Sequence, residues 1–164
     1  KKGIIWDIGA GCGSIGLEAL KIRPNLDLFC IDKRIGSKSL ILENSKRLGV
    51  KPKFIFEEDI KNTFNTLTLK SSNIPSRLVI GGCDKKTKLL IIKEITQVMK
   101  IGDIIIIPII DVQTIKELKM ELEDKNFKTN LNLIQTYKSL SISEGIRLEP
   151  NNPVFLLKGK KCKY

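Results

Sequence analysis

The run Asp7-Ile8-Gly9-Ala10-Gly11-Cys12-Gly13-Ser14 opens on the last two residues of the apolar stretch Gly3 to Ile8. Its alternating glycines let a backbone turn tightly and approach a ligand closely. A helix opening at Ser14 would present free N–H groups and the positive end of its dipole to an anion. A carboxylate or phosphate belongs at such a turn. About 20 residues beyond the glycines, Asp32 closes the apolar run Phe29-Cys30-Ile31, with Lys33 beside it; an acid at that spacing hydrogen-bonds ribose hydroxyls. A third apolar run ends in Glu57-Glu58-Asp59-Ile60, where Asp59 can accept from an adenine amino group and Ile60 can flank the ring. Carboxylates closing three successive strands of an open α/β sheet line the edge where such sheets bind ligands, and together they point to a cofactor containing adenosine.

Two frames fit the glycines. D-x-G-x-G-x-G from Asp7 is typical of S-adenosylmethionine binders, and G-x-G-x-x-G from Gly11 to Gly16 is the dinucleotide fingerprint. The second frame starts beyond the strand end, and Asp7 is a poor neighbour for a pyrophosphate but suits a ligand with an ammonium group. A glycine-rich turn without any ligand is the bland alternative. The chain has no His, which excludes Ser-His-Asp and Cys-His catalysis and any His-based zinc site. Cys12, Cys30, Cys83 and Cys162 show no C-x-x-C spacing, so they read as reduced thiols and no metal is expected.

The elements that must position these residues follow from length and pattern. With 164 residues, 41% of them hydrophobic and 29% charged, residues 1–164 read as one soluble globular domain. No apolar stretch reaches the roughly 20 residues of a membrane span. Even Ile104 to Ile110 is interrupted by Pro108 and closed by Asp111. Lys1 and Lys2 lead straight into a glycine-rich segment with a carboxylate, unlike a signal peptide, so the expected location is cytoplasmic. The net charge of +11 favours acidic partners. However, 24 Lys against 5 Arg reads as a solvated surface before a nucleic-acid track, because Arg is the residue that reads phosphates and bases bidentately.

Strand-length apolar runs alternate with amphipathic helical segments, the pattern of βα units feeding a mostly parallel sheet. Strands are expected near Gly3 to Ile8, Asp27 to Ile31, Lys53 to Phe56, Arg77 to Ile80 and Ile104 to Pro108. Helices are expected near Ser14 to Ile22, Gly36 to Leu48, Lys86 to Lys100 and Val112 to Asn126. Two last strands, near Asn130 to Tyr137 and Pro153 to Lys158 with a loop between, should pair antiparallel at one edge, making seven. The Asn/Ser/Thr-rich segment from Lys61 to Ser76 reads as a mobile loop or short irregular helix. The expected class is α/β: a Rossmann-like seven-stranded sheet with helices on both faces.

These residues resemble the class I S-adenosylmethionine-dependent methyltransferases. Within them they resemble the decarboxylating precorrin-6Y and cobalt-precorrin-6B methyltransferases of cobalamin synthesis that act at carbon-15. Ile5-Trp6-Asp7-Ile8-Gly9-Ala10-Gly11-Cys12-Gly13-Ser14 resembles that family's W-D-I-G-A-G-T-G-S, with Cys12 where Thr is usual. Leu78-Val79-Ile80-Gly81-Gly82 resembles its F-I-G-G. Gly145-Ile146-Arg147-Leu148-Glu149 and Asn152-Pro153-Val154-Phe155 resemble its closing G-x-R-L-E and N-P-V-F. The chain departs from the family at Cys83-Asp84-Lys85, where Ser-Gly-Gly is usual, and at Ile107-Pro108, where Asn-Ala is usual. Family members also carry an N-terminal segment that helps cover the active site, so a truncated or minimal form is expected.

The resemblance implies methyl transfer from S-adenosylmethionine to a precorrin, coupled to loss of carbon dioxide from an acetate side chain, in a homo-oligomer, a tetramer. It implies cofactor contacts from Asp7, Gly9, Ala10, Gly11, Gly13, Ser14, Asp32, Lys33, Asp59, Ile60, Gly81 and Gly82. Arg147 is the candidate clamp for a substrate carboxylate, with Lys85 and Lys86 behind it; its bland alternative is a surface ion pair with Glu149. No nucleic-acid or membrane partner is implied. The rivals are a class I methyltransferase acting on RNA or protein and an NAD-binding Rossmann domain. Gly81-Gly82-Cys83-Asp84 stands where amino-directed nucleic-acid enzymes carry Asn/Asp-Pro-Pro-Tyr/Phe.

Overall fold

The computed structural model describes residues 3–68 and 70–163, so Lys1, Lys2, Leu69 and Tyr164 lie outside the described residues. In chain order the elements are β1 (Gly3–Ile8), α1 (Ser14–Ile22), β2 (Leu26–Ile31), α2 (Ser37–Leu48), β3 (Phe54–Phe56), α3 (Ile60–Thr68), β4 (Arg77–Ile80), α4 (Lys85–Ile95), β5 (Ile104–Ile109), α5 (Val112–Asp124), β6 (Phe127–Ile134), β7 (Tyr137–Ile142), β8 (Gly145–Pro150) and β9 (Val154–Lys161). Seven strands form one sheet in the order β3-β2-β1-β4-β5-β9-β6. The first five are parallel, and β9 runs antiparallel to both β5 and β6. This is the expected seven-stranded, mostly parallel sheet with its antiparallel C-terminal pair.

The sequence sorts the two faces by its period of two. In β1, Trp6 and Ile8 point to the face covered by α3, α4 and α5, joining Phe29, Ile80, Ile92, Ile107 and Leu118 in one core. Ile5 points the other way, into a second core with Leu17, Leu20, Leu28 and Ile41 beneath α1 and α2. Asp7 shares that parity, so a carboxylate sits on the α1 side of a strand buried on both faces. Pro108 is tolerated inside β5 because the β4 pairing stops at Ile106, leaving no β4 carbonyl for the missing N–H to reach.

At three places the structure decides between the expected alternatives or departs from them. The segment from Lys61 to Ser76, apart from residue 69, holds most of α3 and a short 3₁₀ turn at Ser71–Asn73. Ile60, Phe64 and Leu67 fall on one helical stripe, and Ile60 and Leu67 enter the core, which outweighs the polar composition around them. Helix α4 ends at Ile95, five residues short of the expected Lys100; the next residue, Thr96, turns its hydroxyl back to donate to the Ile92 carbonyl at 2.6 Å. Finally, the expected strand near Asn130 to Tyr137 is β6, shifted three residues toward the N-terminus, and the loop expected after it holds a hairpin. β7 and β8 pair with each other as a separate two-stranded sheet, joined by Ser143 and Glu144.

Candidate active site

The carboxyl ends of β1 to β5 open onto two adjoining cavities, of about 100 and 630 Å³. Gly9, Gly82, Cys83 and Asp84 line both and form the wall between them. The smaller also takes Asp32, Lys33, Asp59 and Ile60; the larger takes Asp7, Ala10, Ser14 and Gly81. Ten of the twelve expected contact residues are thus gathered at one edge. The other two, Gly11 and Gly13, shape the turn that builds it.

That turn demands glycine for two separate reasons. Gly9, Gly11 and Gly13 all have positive φ (70°, 64° and 81°), a conformation that costs other residues. At Gly9 the space is also taken, since a Cβ would lie 2.7 Å from the Gly82 backbone nitrogen. The turn after β1 and the Gly81-Gly82 turn after β4 are packed backbone on backbone, with the Gly81 N–H donating to the Ile8 carbonyl at 2.7 Å. The glycines of both turns are therefore fixed by each other as much as by any ligand. Gly13 caps α1 with its backbone alone.

Asp7 is only 2% exposed, and its Oδ2 accepts from the Gly16 N–H at 2.9 Å. Burial pushes its carboxyl up to about 6; the Gly16 bond works against this and the charge of Asp32 adds to it. Gly16 is a residue of the candidate site that motif reading did not assign to this position. A Cβ there would lie 2.8 Å from both Asp7 Oδ2 and Leu28 Cδ1, so only glycine lets α1 rest on the carboxylate. Its N–H, the last in the dinucleotide frame, is committed to Asp7 and is not offered to a pyrophosphate.

Asp32 stands at the end of β2, 4% exposed. Its Oδ2 accepts from the Gly11 N–H at 2.7 Å and from Arg34 Nη2 at 3.2 Å. Its Oδ1 accepts from the Arg34 N–H at 2.9 Å and Arg34 Nε at 3.1 Å. Burial alone would raise its pKa, but the Arg34 and Gly11 donors outweigh burial and hold the carboxyl below its usual range. Asp32 thus stays ionised where Asp7 is poised to take a proton. Asp59 Oδ1 accepts from the Lys61 N–H at 3.0 Å at the start of α3. Glu57 instead caps α2, accepting from the Lys38 N–H at 2.9 Å.

Cys83, Asp84 and Lys85, which follow the Gly81-Gly82 turn after β4, also enter the site. Asp84 caps α4, accepting from the Thr87 N–H at 2.9 Å, and these bonds lower its pKa. Burial raises that of the Cys83 thiol. Lys88 Nζ donates to the Cys83 carbonyl, and Lys85 pairs with Glu117 at 2.8 Å; both lysines line the larger cavity with Pro108, Asp111 and Thr114. Arg147 lies on β8, exposed, 3.8 Å from Glu149, and lines neither cavity.

A family model described as the precorrin methyltransferase domain matches residues 1–161. A probable cobalt-precorrin-6B C(15)-methyltransferase (decarboxylating) of Sulfurisphaera tokodaii is 24% identical over 156 residues, covering 94% of this chain and 78% of that protein. Among solved structures, a precorrin-6y C5,15-methyltransferase from Geobacter metallireducens superposes with a TM-score of 0.84 at 23% identity. The match covers 98% of this chain and 82% of that one. A precorrin 8W decarboxylase of Methanobacterium thermoautotrophicum superposes with a TM-score of 0.81, also at 23% identity, over 97% and 82%. At these identities the superpositions speak for the fold, and the family match speaks for descent. From its first strand to its last, this chain belongs to the precorrin methyltransferase domain family.

Proposed function

We propose that the chain is an S-adenosylmethionine-dependent methyltransferase that methylates carbon-15 of a precorrin and promotes loss of carbon dioxide from an acetate side chain. The observation that carries this reading is the pairing of two buried carboxylates, Asp7 and Asp32, on either side of a turn whose glycines, Gly9, Gly11 and Gly13, leave the backbone open to close approach. The cradle fits the cofactor's chemistry. Asp7 suits the ammonium of its amino-acid end, Asp32 suits the ribose hydroxyls, and Asp59 with Ile60 suits the adenine. When bound, S-adenosylmethionine supplies a methyl group made electrophilic by its sulfonium.

The chain's own residues then orient and enclose. A sulfonium needs little acid–base help, which agrees with a chain that has no His. The larger cavity, at about 630 Å³, falls in the range of small-molecule sites, and Lys85 and Lys88 on its wall offer cations to a substrate rich in carboxylates. Electron flow into the protonated macrocycle would drive decarboxylation, assisted by fixed dipoles. The reading treats residues 1–164 as one catalytic domain working in the cytoplasm. Among the described residues, no helix is long and apolar enough to cross a membrane.

We further propose that copies of the chain assemble, with a tetramer expected, through the β7–β8 hairpin. Tyr137, Ile142, Ile146 and Leu148 are exposed on it, and Arg147 sits among them. Incubation with S-adenosylmethionine and a cobalt-precorrin pool tests the activity. Product mass should rise by one methyl and fall by one carbon dioxide, and unchanged precorrins would refute it.

A further inference from the structure

The carboxylate that should hold the ribose is already fully engaged. A carboxylate offers about four lone-pair directions, and Asp32 accepts four protein hydrogen bonds. Two come from backbone N–H groups, of Gly11 and Arg34, fixed by their turns. The other two come from the fork of the Arg34 guanidinium, whose side chain is 67% exposed. A ribose diol needs two acceptor positions on this same carboxylate. The backbone donors cannot leave without unfolding the turn, so the guanidinium must.

The surroundings give it room. Arg34 lines the smaller cofactor-side cavity and also a recess of about 150 Å³ formed with Gly11, Cys12, Ile35, Ser37 and Leu40 on the outer side of the turn. It lies folded back over Gly11, where a Cβ would come within 2.7 Å of Nη2. The side-chain hydrogen bonds that hold it there are those of this fork to Asp32.

We propose that Arg34 is a tethered stand-in for the ribose: it occupies Asp32 in the unliganded protein, and an adenosine-containing ligand binds by displacing its guanidinium. Arg34 thereby sets cofactor affinity by competition, while keeping a buried charge paired when the site is empty of ligand. This rests on the reading of Asp32 as the ribose holder. Exchanging charge-assisted donors for neutral hydroxyls is unfavourable at Asp32, so removing Arg34 should help the ligand rather than hinder it.

Calorimetry with adenosine, which carries ribose but no charge, tests the exchange. Arg34→Ala should bind adenosine roughly fivefold more tightly than the parent, the size expected when a mostly exposed ion pair no longer competes. Arg34→Lys, which keeps the charge without the fork, should fall between. Adenosine affinity of the parent should also rise with salt, because salt screens the Arg34–Asp32 pair, whereas that of Arg34→Ala should not respond. Adenine, lacking the sugar, should bind both proteins alike.

Unchanged or weaker adenosine binding by Arg34→Ala overturns the proposal, as does an equal gain for adenine, which would mean that Arg34 blocks the base instead. Asp32→Asn separates the two readings. If it weakens adenosine while Arg34→Ala changes nothing, only the stand-in role falls. If it leaves adenosine binding intact, the ribose assignment falls and takes the stand-in with it.

Discussion

Asp7 sits where its ionised form is costly to the fold, and Asp7→Asn should expose that cost. In the folded chain, burial lifts the carboxyl from 3.8 to about 6. Folding therefore binds a proton more tightly at this site than the unfolded chain does. The resulting contribution to stability is fully present below about pH 4 and is lost as pH rises through about 6. At one pKa unit per 1.36 kcal/mol, ionised Asp7 costs about 3 kcal/mol above pH 7. Asp7→Asn keeps the shape and an oxygen that can accept from the Gly16 N–H, and it removes the titration.

For a chain of this length each kcal/mol moves the melting temperature by about 2–4 °C, so the variant should melt roughly 6–12 °C higher at pH 8. Near pH 4 the two proteins should converge. Melting both across that range isolates Asp7, because every other carboxylate titrates in both. A difference that does not change with pH, or a variant less stable at pH 8, would refute the reasoning. If the carboxylate is kept for an ammonium group, S-adenosylmethionine should raise the melting temperature of the variant less than that of the parent.

Three further outcomes are expected. Gly16→Ala gains up to about 1 kcal/mol of helix propensity, yet its Cβ meets Asp7 Oδ2 and Leu28 Cδ1 at 2.8 Å. The net effect should be a lower melting temperature and weaker cofactor binding by calorimetry. Gly9→Ala combines φ of 70° with a contact of 2.7 Å to the Gly82 backbone. It should cost on the order of 1–3 kcal/mol in chemical denaturation and loosen both turns together. Ile146→Asp on the exposed hairpin should leave the melting curve of the separated subunit unchanged and shift sedimentation toward the monomer; an unaltered sedimentation profile would move assembly elsewhere.

Much of this site is legible in the sequence because it is local. The glycine turn, Asp32 and the Asp59-Ile60 pair each lie at the end of a run of strand-forming residues, and a parallel sheet brings such ends to one edge whatever the rest of the chain does. What was not legible is what depends on contact across the turn. Gly16 matters because Asp7 and Leu28 press against it, and Gly81 and Gly82 matter because Gly9 does; spacing along the chain carries no trace of either. The hairpin escaped for a different reason. Tyr-Lys-Ser-Leu-Ser-Ile alternates as a strand should, but the residues joining β7 to β8 are Ser143 and Glu144, not an Asn-Gly or Asp-Gly pair. Arg34 is the limiting case. It follows Lys33 in a lysine-rich chain and looks like one more solvated cation, and only the folding of its guanidinium back onto Asp32 distinguishes it. A residue proposed to leave a carboxylate makes no pattern with its neighbours in sequence, which is why its role is read from the geometry of its side chain on Asp32.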